Sequence, residues 1–70
     1  MNYTLDIHTI TGEVFSASVA VLVDTVHARI EFIEKQIDDT NTVLVLDETE
    51  DNHEIFITLN QITAYVWKRR

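Results

Sequence analysis

Tyr3, Leu5 and Ile7 alternate with Thr4, Asp6 and His8, the period-two signature of a strand with one buried face. Thr11-Gly12 carries the chain's single glycine and predicts a tight turn into a second strand over residues 13–17. The segment 18–23, Ser-Val-Ala-Val-Leu-Val, has two readings. Its β-branched residues suit an extension of that strand. Yet Leu22, Val23, Val26, Ile30, Ile33 and Ile37 recur at helical spacing, and Glu31 with Lys35 makes a favourable i,i+4 pair. A helix is expected over residues 24–37. Both Ser18 and Asp24 are able to cap it, and the earlier start is favoured because Val19 continues the stripe. Asp38, Asp39, Thr40 and Asn41 end the pattern.

Beyond the helix, residues 42–46 read Thr-Val-Leu-Val-Leu, a continuous apolar run of the kind that forms a strand buried on both faces. After a polar connection over 47–52, residues 54–60 predict a fourth strand with Ile55, Ile57 and Leu59 on one face and Phe56 on the other. Asn60-Gln61 marks a turn or bulge, and residues 62–67 predict a last strand. Its two faces are Ile62, Ala64, Val66 and Thr63, Tyr65, Trp67. The order is ββαβββ in one domain over residues 1–70. The expected class is α+β, a mainly antiparallel sheet with one helix packed on a face.

One helix covers one side of such a sheet, which leaves apolar surface over. Phe56, Tyr65 and Trp67 are assigned to the uncovered face. Val21, Ala28 and Phe32 form a second apolar line on the helix, away from its stripe. Both sets are candidate self-association surfaces, because large aromatic groups are enriched in contacts. Size points the same way. A 70-residue domain buries a small core, and such domains are usually reinforced by disulfides, a metal or a partner subunit. The absence of cysteine removes disulfides and thiolate metal sites, so a homo-oligomer, most simply a dimer, is expected.

Charge sharpens the picture. Twelve acidic residues face five basic ones, for a net charge of -7. Lys68, Arg69 and Arg70 supply three of the five, leaving only Arg29 and Lys35 in the anionic body. Such a body is repelled by phosphates, so no direct nucleic-acid binding is expected of it. It suits a protein partner with a basic surface, approached under electrostatic steering. Asp47, Glu48, Glu50, Asp51 and Glu54 are the candidate contact residues. In size and charge alone the chain is similar to small acidic inhibitors of phages and mobile elements, including anti-restriction and anti-CRISPR proteins. Such proteins place carboxylates where phosphates would sit.

Candidate chemistry is thin. Counted from Asp47, the sixth and twelfth positions of a calcium loop hold Asn52 and Thr58 rather than glycine and glutamate. His8, His27 and His53 lie in three separate elements, with no metal-ligand spacing. No nucleophile elbow and no phosphate-cradling glycine loop is present. No enzymatic activity, cofactor or metal is therefore expected. The amino terminus lacks a basic segment followed by an apolar run, and no stretch reaches membrane-span length, so a cytoplasmic protein without a membrane role is expected. Asn2-Tyr3-Thr4 matches a glycosylation sequon that a cytoplasmic setting leaves unused.

The leading expectation is a non-enzymatic binding protein that self-associates and inhibits or modulates a protein partner. An alternative is an oligomeric binder of a nucleotide or other small anion, with Tyr65 and Trp67 stacking a base beside Lys68, Arg69 and Arg70. A structural assembly subunit is a third.

Overall fold

The structure is a computed structural model describing residues 1–47 and 53–70. Its order is β1 (Asn2–Thr9), β2 (Val14–Ala20), α1 (Val26–Lys35), β3 (Val43–Leu46), β4 (Ile55–Thr58), a 3-10 turn (Leu59–Gln61) and β5 (Ile62–Arg69). The ββαβββ order and the α+β class are those read from the pattern. The strands divide differently. Instead of one sheet there are two: a three-stranded antiparallel sheet with β1 between β2 and β5, and a two-stranded antiparallel sheet of β3 and β4.

The β1–β2 hairpin forms where the glycine places it. Gly12 has φ +88°, a left-handed value open to a residue without Cβ. The Gly12 amide donates to Thr9 O and the Thr9 amide to Glu13 O, both at 3.0 Å. Pairing then sets Tyr3 opposite Val19, Leu5 opposite Ala17 and Ile7 opposite Phe15, so both strands turn their apolar residues to the same side. On the other edge Leu5 faces Trp67 and Ile7 faces Tyr65.

That register corrects the expectation for the last strand. Tyr65 and Trp67 lie on the core side, packed against the buried cluster, while Ala64 and Val66 face outward. Of the three aromatics assigned to an uncovered face, Phe56 alone is exposed, at 65%. The buried cluster joins Leu5, Ile7, Ala17 and Val19 of the larger sheet to Leu44, Leu46 and Ile57 of the smaller one. The 3-10 turn carries the chain between the two sheets. β3 is not buried on both faces: Leu44 and Leu46 are buried, and Val43 and Val45 only partly so.

The helix also starts later than expected. Ser18 and Val19 are strand residues paired with Thr4 and Tyr3. Thr25 is the N-cap, its hydroxyl accepting from the Ala28 amide at 3.0 Å. Sheet pairing outweighed the apolar stripe here, because Val19 gains both a ladder position and burial. The helix is rotated too. Phe32, Ile33 and Ile37 pack against the core, but Val26 and Ile30 are 63% and 49% exposed. In this orientation Arg29 reaches Tyr3 and Asp24 (below) and Phe32 packs on Trp67, while the Val26–Ile30 side faces away. At the far end, Asp38 receives the Thr42 and Val43 amides at 2.8 and 3.0 Å, and Asn41 takes a left-handed φ of 55°. No helix among the described residues is long and apolar enough to cross a membrane.

Candidate functional site

Tyr3, Asp24, Arg29 and Arg69 come from β1, the β2–α1 connection, α1 and β5, and they meet at one point. The Tyr3 hydroxyl donates to Asp24 Oδ1. Arg29 Nη1 donates to Asp24 Oδ1 at 2.7 Å and to the Tyr3 hydroxyl at 2.8 Å. Arg69 Nη2 donates to Asp24 Oδ2 at 2.5 Å. The Tyr3 hydrogen bond, with the charges of Arg69 and Arg29, holds the Asp24 carboxyl below its ordinary value. Arg29 also sits over the Tyr3 ring, 5.3 Å from its centroid. Trp67 meets Tyr3 edge-on at 5.5 Å, and Phe32 meets Trp67 at 6.1 Å. The network pins the helix start and the last strand to β1.

On the opposite face of the same sheet, Asp6 is buried. It accepts from Ser16 Oγ at 2.7 Å on one oxygen, and Lys68 Nζ lies 2.7 Å from the other. The Lys68 and Ser16 hydrogen bonds hold its carboxyl low. His8 follows two residues along the same strand face. A serine, an aspartate and a histidine therefore share this face, but the serine hydroxyl donates to the carboxylate and not to an imidazole. That geometry locks a sheet face and leaves the hydroxyl unactivated.

These contacts disperse the carboxy-terminal cluster. Tyr65 and Trp67 point into the core. Lys68 turns outward to Asp6, Arg69 closes on Asp24, and the Arg70 amide donates to Asn2 O at 2.9 Å. Tyr65, Trp67, Lys68, Arg69 and Arg70 thus do not converge on one cleft, and burial pushes the Tyr65 phenol up.

The acidic candidates are placed in part. Asp47 follows β3 and Glu54 precedes β4, both exposed, at one end of that strand pair. Glu48, Glu50 and Asp51 lie outside the described residues. Among the described residues, no group of three His, Asp or Glu side chains is disposed to hold a metal ion.

The line expected on the helix is only partly helical, since Val21 lies in the β2–α1 connection and Ala28 and Phe32 are on α1. Val21 is buried and Phe32 packs against the core. With Ala28 they line an open recess of about 470 Å³, bordered by Leu22 and Val23 on the loop and by Glu31 and Lys35 on the helix. Phe32 also borders a smaller groove of about 300 Å³, where Ala17 to Ala20 of β2 approach Leu46 and Asp47.

Sequence reasoning missed the Asp24 network, whose members are 5 to 45 positions from Asp24. The usable signal was scarcity. With so few cations, each one near an isolated carboxylate is a candidate partner. Comparison with protein-family models, with curated proteins and with solved structures returned no match.

Proposed function

We propose that the protein is a non-enzymatic binding protein that presents an anionic surface to the basic contact surface of a protein partner, and so inhibits or modulates that partner. One observation carries this reading: four of the five basic side chains are engaged by three of the chain's own carboxylates. Arg29 and Arg69 pair with Asp24, Lys68 with Asp6 and Lys35 with Glu31. Glu13, Glu34, Asp39, Asp47 and Glu54 stay exposed outside these ion pairs. The net charge of -7 is therefore carried outward. A basic partner gains a complementary surface without displacing an internal cation, and a nucleic acid using the same partner surface is excluded by competition.

The test is capture from the native host at rising salt, with a parallel Asp47→Lys/Glu54→Lys variant. The expected partner is held at low salt, released as salt rises, and bound more weakly by the variant. Added nucleic acid displaces it. Capture indifferent to both salt and charge reversal refutes the reading. The nucleotide-binding alternative draws no support from the arrangement, since Lys68 and Arg69 already face the chain's own carboxylates.

A further inference from the structure

The recess on the flank of α1 has a knob beside its hole. Leu22 is fully exposed and Val23 is 64% exposed, and both border the recess lined by Val21, Ala28 and Phe32. We infer that this flank is a self-complementary docking surface whose occupant is a second copy of the chain. About a two-fold axis, Leu22 of each copy enters the recess of the other.

Two arguments select a second copy over a foreign partner. The first is symmetry. A two-fold interface uses the same patch on both subunits, so projection and recess must lie on one surface. Here one short stretch of chain supplies both. The second is charge. Copies with a charge of -7 repel each other where their surfaces are acidic. The rim of this recess carries both signs, Glu31 and Lys35, 3.1 Å apart within one chain and 49% and 71% exposed. A two-fold operation brings Lys35 of one copy toward Glu31 of the other, so the rim attracts a like copy. To a basic partner, Lys35 would be a like charge. The opposite helix flank, Val26 and Ile30, does not line this recess. The inference does not rest on the anionic-surface reading, since either holds without the other.

Sedimentation equilibrium from about 10 µM to about 1 mM is the deciding measurement. The wild-type chain is expected at twice its 8.1 kDa mass in the upper part of that range. Leu22→Asp should raise the dimer dissociation constant roughly tenfold or more, with an unchanged melting curve at concentrations where wild type is monomeric, because Leu22 is fully exposed in the single chain. Val26→Asp, on the other flank, should leave the dimer intact. Lys35→Glu should weaken it, and Glu31→Lys with Lys35→Glu should restore it. Added salt should tighten the dimer by screening body-to-body repulsion, whereas salt weakens capture of a basic partner. A wild-type chain at 8.1 kDa throughout overturns the proposal. So does a Leu22→Asp chain that dimerises like wild type, a Val26→Asp chain that dissociates, or a double swap that fails to restore association.

Discussion

Arg69, one residue from the carboxy terminus, closes on Asp24 with Nη2 2.5 Å from Oδ2. Tyr3 stands between them as a shared contact, its hydroxyl on Asp24 and its ring 6.0 Å below the Arg69 guanidinium. A residue that reads as part of a loose basic tail is thus a strut between the last strand and the helix start. Tyr3→Phe removes a hydroxyl that donates to a carboxylate and accepts from Arg29. The expected cost is about 1–2 kcal/mol, a fall in Tm of roughly 5–15 °C for a domain of this size, read by circular dichroism. An unchanged Tm would mean that the hydroxyl contacts contribute nothing.

Acid should unfold the protein through the same carboxylates. Asp6, Asp24 and Asp38 are all held below the ordinary range, Asp38 furthest, by the Thr40 hydroxyl and the Val43 and Thr42 amides. A carboxyl with a depressed folded pKa binds fewer protons in the folded chain than in the unfolded one. Its stabilisation is present above the unfolded value near 3.9 and is lost as pH falls through the lower folded values. Thermal melts should therefore show Tm nearly level above pH 5 and falling below about pH 4. Asp6→Asn should flatten that fall while lowering Tm at neutral pH.

The rotation of α1 is open to substitution. Val26→Asp and Ile30→Asp should change stability by no more than about 0.5 kcal/mol, as exposed sites do. Phe32→Ala should cost clearly more, since Phe32 packs on Trp67 and the core. The reverse ranking would place the Val26–Ile30 side inward. Urea denaturation of the three variants gives the order directly.

Helix capping separates the two start sites. Thr25→Ala should lose about 1 kcal/mol, because the Thr25 hydroxyl accepts the Ala28 amide. Ser18→Ala, at an exposed strand position, should be near neutral. Equal losses would contradict a start at Thr25.

Core sensitivity should be extreme. Ile7 is 0% exposed, and Ile→Ala at such a site costs about 2–5 kcal/mol. A core of this size supplies about 3–5 kcal/mol in all. Ile7→Ala should leave a large unfolded fraction at room temperature, visible as lost ellipticity. Ile7→Val should remain folded with a lower Tm.

Element identity was legible wherever a local period was unopposed. Alternation in residues 3–8 gave β1, Gly12 gave the turn, and the order ββαβββ followed. Legibility failed where two local signals competed. Val19 belongs to a strand period and to a helical stripe at once, and the competition is settled by its pairing with Tyr3. The face assignment of Tyr65 and Trp67 failed for a related reason. Either face of β5 is apolar enough to be buried, so only the register against Leu5 and Ile7 decides. Among the candidate sites, Val21, Ala28 and Phe32 were read as one line on the helix, whereas Val21 lies before α1 and is buried. Their place on the wall of a recess was not visible, because it depends on where Leu22 and Val23 turn away from the sheet.

The sequence by itself determined the absence of cysteine, the net-acidic charge and the α+β class with its ββαβββ order, since those properties follow from counts and short-range periodicity. Tertiary structure alone decided the split into two sheets, the rotation of α1 and the internal pairing of Arg29, Lys68 and Arg69 with Asp24 and Asp6. Each of those depends on which distant groups meet. A buried carboxylate such as Asp6, or a converging set such as Tyr3, Asp24, Arg29 and Arg69, is stabilised by partners that no local spacing specifies.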